Sequence, residues 1–549
     1  MRSDRIVFAA LIATLASTAL VLPGPAAEAC TNILVTKGAS ADGSTMITYA
    51  CDGRFHPRLN HSKPADHEPG AEYEIREWTG ELRGVIPQAG HTHGVVGLMN
   101  DHQLAISETT TTGREELENP DGLIHYWTLM KLTLERAATA REAIAVMASL
   151  VEEHGYRSTA ESFSIADPNE VWLMEMIGTG PGGKGAVWVA MRIPDGSIAA
   201  YANGMRIRTF PLDDPDNCLY SNNVISFAAD RGYYHPESGE PFNFAAAYDV
   251  PTQQSRRYTA TRVWSVFRRA APSLELDPAY HRGDPLAEPY PLWIKPESKL
   301  SVADVMALMR DHYEGTDYDM TRGVDAGPYA TPNRWRPMSW TVDGAEYTWE
   351  RPISTQQTGF SFVSQSRSWL PDAVGGVYWY GLDDTFTSVY IPLYAGITRI
   401  PESFTVGSLD RFSWDSAWWV FNFVANIANL KYSFMIEDIR AVQTELEDRF
   451  LTMQPVIEQT AVALAETDPE LMHAFLTQYS VGQAEEVVRR WKELGELLLT
   501  KYNDGYVAGE GDEDVERGYP ESWLREVIRA RPDQFLLDQA ETPANALPY

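Results

Sequence analysis

Apolar and polar positions along the chain switch between two periods. Residues 31–36, Thr-Asn-Ile-Leu-Val-Thr, are β-rich, with Ile33 and Val35 on one face and Asn32 and Leu34 on the other. A polar stretch carrying Asp42-Gly43 follows, and residues 45–50 read as a second strand. Two such runs around a turn predict a hairpin, which returns Cys51 and Asp52 to the neighbourhood of Cys30. Strand patterns recur at residues 73–78, 94–99, 104–109, 162–177 and 185–193, while residues 121–154 carry helical spacing. Beyond about residue 400 the helical period takes over. Residues 408–430, 436–450, 451–466, 469–478 and 483–502 read as helices with charged outer faces, and a further helix is expected near 520–531 in an acidic tail. Strand pairs followed by helices, without regular βαβ alternation, favour α+β over a doubly wound sheet.

The first 29 residues follow another pattern. Arg2 and Arg5 precede an apolar run to Leu22, Pro23-Gly24-Pro25 breaks it, and Ala27-Glu28-Ala29 offers small residues at −1 and −3. This is the layout of a secretory signal peptide cut between Ala29 and Cys30. The competing readings are an uncleaved anchor, for which the run is slightly short, and a lipoprotein, for which Ala27 is a poor substitute for the large aliphatic residue needed at −3. No later segment approaches 18 uninterrupted apolar residues. A secreted protein, periplasmic or extracellular and off the membrane after cleavage, is therefore expected.

Charge narrows the partners. The chain has 45 Lys+Arg against 76 Asp+Glu, a net charge of −31. That balance disfavours nucleic acid and anionic lipid surfaces, both of which require clustered cations. Three cysteines, Cys30, Cys51 and Cys218, are too few for a disulfide scaffold. One bridge can form, and a Cys51–Cys218 pair would leave Cys30 free.

Cleavage before Cys30 would give that residue an α-amine. A cysteine thiol titrates near pH 8.5 and an α-amine near 7.7–8.0. Nucleophile and proton acceptor would then share one residue, the N-terminal-nucleophile solution to amide hydrolysis, which needs no histidine. Asp52, delivered by the hairpin, is a candidate to hold the amine or thiol; opening a turn with Gly53 is its alternative role.

These residues carry a resemblance. Cys30-Thr31-Asn32-Ile33-Leu34-Val35 with Asp42-Gly43-Ser44-Thr45-Met46, and the later blocks at 95–110, 161–172, 311–316 and 416–422, resemble the bacterial dipeptidase A family, relatives of the secernins. The resemblance implies a four-layer αββα N-terminal-nucleophile hydrolase sandwich at residues 30–400. Residues 401–549 would be a helical extension with an acidic tail. It also implies cysteine-type dipeptidase activity. More distantly the chain is similar to the penicillin V acylase and bile-salt hydrolase group. That similarity implies Cys30 as nucleophile, Asp52 as its aspartate, Asn222 as an oxyanion donor, and Arg262 as the downstream arginine. One departure stands out: Tyr49 occupies a position where that pattern carries arginine, which removes a cation that would lower the thiol pKa. The second oxyanion donor falls near Thr110 or on a backbone N–H.

Other motifs carry less. The glycine-rich stretch 178–185 lacks Walker spacing and precedes a strand pattern, so it reads as a hairpin loop. His91-Thr92-His93 puts two imidazoles on one face, which can suit a metal, but no third ligand stands at a recognisable spacing. No cofactor and no metal are expected. Arg322, Arg334 and Arg336 are candidates to grip a substrate carboxylate, and Glu108 and Glu175, with Asp52, to meet a substrate amine. The expected partner is a dipeptide or small amide, and a homo-oligomer is compatible with this reading. An acylase or amidase is the alternative enzyme, and a non-catalytic binding protein the alternative class.

Overall fold

In a computed structural model, residues 30–77, 79–509 and 514–537 are described. The signal peptide expected at 1–29, Trp78 and the end of the acidic tail lie outside the described residues. The fold is mixed α/β, built around two large antiparallel sheets. In the first sheet Asn32–Val35 and Met46–Asp52 form the predicted hairpin at the centre, with Leu34 opposite Ile47 and Val35 opposite Met46. Ile198–Tyr201 flanks it on one side. Thr358–Gln365, from some three hundred residues downstream, flanks it on the other, and Val377–Leu382 and Ile391–Tyr394 extend that side. Every residue of Met46–Asp52 is buried, so this strand is covered on both faces and carries no solvent-facing polar set.

The second sheet covers it. Ala105–Thr111, Ala160–Ala166, Val171–Gly178 and Ala186–Arg192 form its body, with Cys218–Tyr220 at one edge. Side chains sew the sheets together: Ser107 Oγ donates to the Thr48 carbonyl at 3.0 Å, and the Ser164 and Tyr201 hydroxyls lie 2.8 Å apart. Helices Tyr126–Arg136 and Ala140–His154 pack on the second sheet, and Ala417–Ala428 and Pro469–Lys501 on the first.

The sequence pattern divides the last helices more finely than the structure does. Tyr432–Ala465 is one helix running through Pro455, and Pro469–Lys501 is one helix running through Gly482. The local penalties of proline and glycine are outweighed by tertiary burial. Trp491 is buried and stacks on Phe421 with ring centroids 5.2 Å apart. Glu447 of the first long helix pairs with Arg310 and accepts the Tyr390 N–H at 2.8 Å. The helix expected from residue 408 starts only at Ala417, where the Ser416 hydroxyl accepts the Trp419 N–H and caps it. Similarly, the strand expected at 94–99 breaks into Val95–Val96 and Met99–Asn100 around Gly97. Gly97 adopts φ +59°, and a Cβ there would sit 2.3 Å from the Tyr378 ring, so only glycine makes this turn. No helix among the described residues is long and apolar enough to cross a membrane.

Candidate active site

Cys30 lies at the head of the first strand and is buried. Its carbonyl accepts from Arg262 Nη1 at 2.7 Å and from the Thr109 hydroxyl at 3.4 Å. Arg262 reaches it from the helix Gln253–Ala270. Nη1 also donates to Thr31 Oγ1 at 2.8 Å, Nη2 to Asn203 Oδ1 at 2.7 Å, and Nε to the Tyr258 carbonyl at 3.0 Å. The guanidinium fork thus fixes the backbone around Cys30 as a lysine could not. Burial, aided by Arg351, lowers the Arg262 pKa to about 9, which still leaves it charged at neutral pH.

The block at 311–316 supports that helix. Asp311 accepts from Ser265 at 2.5 Å and from Arg269 at 3.2 Å, both on the helix that carries Arg262. Tyr313 donates through its hydroxyl to the Arg351 carbonyl.

The thiol faces a relay of acids. Cys30 Sγ lies 3.7 Å from Tyr49 Oη, and Tyr49 donates to Glu108 Oε1. Burial, then the neighbouring Cys51 and Glu108, push the thiol well above its ordinary pKa. With a peptide nitrogen on its N-terminal side, Cys30 therefore stays protonated and has no base of its own. The Tyr49 ring packs edge-on against Phe360 at 5.6 Å.

Asp52 ends the second strand, fully buried. It accepts from Arg351 Nη2 at 2.8 Å and from Thr358 Oγ1 at 2.6 Å. Desolvation raises it to about 6 against the pull of Arg351. The pairing register shifts between Thr358 and Phe360, beside Asp52. Such a bulge redirects side chains in a ladder.

The structure brings Cys30, Asp52 and Arg262 together but not Asn222. That residue is exposed in the turn after Cys218–Tyr220, the edge strand of the second sheet. The asparagine in the cluster is Asn203, which follows Ile198–Tyr201 and donates to the Thr110 carbonyl at 2.7 Å and to Thr109 Oγ1 at 3.1 Å. Asn203-Gly204 directly after a buried strand was the available signal. Arg351 was also missed. None of the three cysteines is in a disulfide: Cys51 sits mid-sheet in the first layer and Cys218 at the edge of the second, so the considered bridge does not form.

Among the carboxylate-gripping candidates, Arg334 is committed to Asp325 and the Met320 carbonyl, and Arg322 to Asp319. Arg336 is exposed, makes no ion pair among the described residues, and feels the charges of Arg351 and Asp52. Glu175 is spent on the Arg206 and Ile207 N–H groups at 2.5 and 3.1 Å.

Burial raises Glu175 from 4.5 to about 8. A carboxyl whose folded pKa lies above its unfolded value contributes stability that is fully present below about 4.5 and lost as pH rises through about 8. Thermal midpoints should therefore fall between pH 5 and pH 9, and Glu175→Gln should flatten the decline. An unchanged slope in that variant would remove this carboxyl as its source.

A cavity of about 730 Å³ reaches the neighbour of Cys30 in the second strand, Cys51. Cys51, which contacts Cys30, forms part of its wall together with Phe55, Tyr126, Trp127, Lys131 and Phe360. Its size and aromatic lining suit a small organic substrate.

The model of Peptidase family C69 matches residues 29–445. A "Probable dipeptidase" of Latilactobacillus sakei is 27% identical over 497 residues, covering 86% of this chain and 94% of the relative. A "Probable dipeptidase" of Salmonella dublin is 28% identical, covering 70% and 84%. "Dipeptidase A" of Lactobacillus helveticus is 25% identical, covering 80% and 88%. A match to the family model across most of the chain makes this protein a member of peptidase family C69.

Proposed function

We propose that the protein is an exported dipeptidase whose Cys30, freed by removal of residues 1–29, attacks the peptide carbonyl. The observation that carries this is the placement of Cys30 at the head of a central strand. Its carbonyl is clamped by Arg262, and its thiol neighbours Cys51, which lines the cavity. The layering of two facing sheets between helices suits the αββα arrangement of N-terminal-nucleophile hydrolases, with the C-terminal helices as an extension of that core.

The thiol's chemistry gives the reading its sense. In the uncut chain the thiol is held protonated by burial and by Glu108. Cleavage adds an α-amine near pKa 7.7–8.0 within reach of the same thiol. The amine takes the thiol proton as sulfur bonds to the carbonyl carbon, then delivers a proton to the leaving amine. Water hydrolyses the thioester through the same base. Arg262 and Asp52 hold the strand ends around this centre, and Asn203 fixes the Arg262 fork. Of the three candidate arginines, Arg336 is the one we assign to the substrate carboxylate, because it makes no ion pair among the described residues and a dipeptide carries a carboxylate that arginine can grip.

The acylase alternative makes a different prediction about free termini. Processed protein should start at Cys30 on N-terminal sequencing. It should hydrolyse free dipeptides and lose most of that rate on their N-acetylated forms. Equal rates on both, or turnover of an acyl amide such as penicillin V in preference to dipeptides, would favour the acylase. A blocked N-terminus, or one elsewhere in the chain, would sink the mechanism.

A further inference from the structure

Three ligand-type side chains converge away from the cleft, before the strand Ala105–Thr111. His93 precedes Val95–Val96, and Asp101 and His102 form the turn after Met99–Asn100. The register of this short hairpin brings both ends together. The Gly94 N–H donates to Asp101 Oδ2 at 2.8 Å, and the Asp101 N–H donates back to the Gly94 carbonyl at 2.9 Å.

The other carboxylate oxygen, Asp101 Oδ1, is buried and has no hydrogen-bond partner among the described residues. It faces His93 Nδ1 at 3.7 Å and His102 Nε2 at 3.9 Å. These separations are too long for hydrogen bonds. They are close to the separation of about 3.3 Å kept by two ligands on one tetrahedral ion with bonds of about 2.0–2.1 Å. All three ligand atoms lie within 4.8 Å of one another.

His102 meets a second carboxylate on its far side. Its Nδ1 lies 3.5 Å from Asp372 Oδ2, and Asp372 Oδ1 accepts from Gln103 Nε2 at 2.9 Å. A carboxylate behind an imidazole favours the proton on Nδ1 and leaves the Nε2 lone pair for a metal. His91, the neighbour suggested by sequence spacing, instead turns to Asp66 at 2.8 Å. The third ligand thus comes from the next turn of the hairpin, not from the local His-x-His pattern.

We propose that His93, Asp101 and His102 bind one divalent transition-metal ion of the zinc type, with water as the fourth ligand, at a site separate from the peptidase cleft. Two imidazoles and one carboxylate favour zinc over calcium or magnesium, which prefer all-oxygen sites. The ion would tie the hairpin to the Asp372 segment.

The test is calorimetric titration of chelator-treated full-length protein with zinc sulfate, alongside thermal unfolding. One ion per chain and a raised thermal midpoint are expected. Asp101→Asn and His102→Gln should each weaken binding about tenfold or more, Asp372→Asn should do so to a smaller extent, and His91→Ala should not. His102 is partly exposed, so His102→Gln should keep the fold by circular dichroism and keep basal dipeptide turnover. Absence of bound zinc in the wild type would overturn the proposal. So would stoichiometric binding that persists undiminished in both Asp101→Asn and His102→Gln, which would place the ion elsewhere, on the cysteine thiols for instance.

Discussion

Cys30→Ser lowers dipeptide kcat/KM by roughly 10³-fold or more while the circular dichroism and unfolding midpoint of the processed protein stay near wild type. The substitution keeps the volume at a buried position and keeps a proton donor for Tyr49 Oη, 3.7 Å away in the native site. What it removes is a nucleophile that an α-amine can deprotonate, because a hydroxyl is far weaker as an acid and as a nucleophile at this pH. Steady-state kinetics on one good dipeptide, with Cys30→Ala in parallel, make the measurement. Both variants should retain KM-level binding if the cavity beside Cys51 receives the substrate. A rate within tenfold of wild type in either variant would exclude Cys30 as nucleophile.

The second large effect is on stability. Arg351→Met should cost about 3–5 kcal/mol at pH 8, because it strips a buried carboxylate of its cation. Asp52 keeps only the Thr358 hydroxyl, at 2.6 Å, of the partners named above. Burial already raises Asp52 to about 6, and losing Arg351 drives it higher. Below that range Asp52 is protonated and neutral in both proteins, so the penalty shrinks; as pH rises through it, the variant must hold an unpaired charge or a costly proton. Urea unfolding at pH 5 and pH 8 should therefore show a larger deficit at pH 8. Adding Asp52→Asn to the Arg351→Met background should recover a good part of it. Equal deficits at the two pH values with no rescue would assign the effect to lost packing instead.

The two partners of this buried pair differ in how they could be seen from the sequence. Cys30 and Asp52 were visible because a period-two pattern, an Asp-Gly turn and a second strand determine where a hairpin ends. The observed pairing of Leu34 with Ile47 is that hairpin. Arg262 was visible only through resemblance to other chains, since nothing local distinguishes it from the other arginines of its helix. Arg351 had no signal at all. It reaches Asp52 because Thr358–Gln365 pairs with Met46–Asp52 across some three hundred residues, and sheet pairing of that range leaves no trace in local periodicity. Asn222 follows a strand as the resemblance requires, but that strand is a sheet edge, and the asparagine placed among the residues around Cys30 is Asn203, held by Arg262, Thr109 and Thr110. The local pattern divides the long C-terminal helices where the structure does not: Gly482 falls in the gap expected at 479–482 and weighs lightly against a packed face, and nothing in the chain breaks the helix at the division expected between 450 and 451.

The distant origin of the strand beside the hairpin has a consequence for the ribosome. Met46–Asp52 is flanked by Thr358–Gln365 on one side, so during synthesis its edge waits for roughly three hundred more residues. At the usual ~5–20 residues per second this is about 15–60 s of translation. Until then Asp52 has neither Arg351 nor Thr358, and the strand that leads from Cys30 has no finished sheet behind it. The nascent chain therefore carries an exposed apolar strand edge long before it carries a catalytic centre. That interval is when it most needs a holding partner, and when it is least able to cleave anything around it.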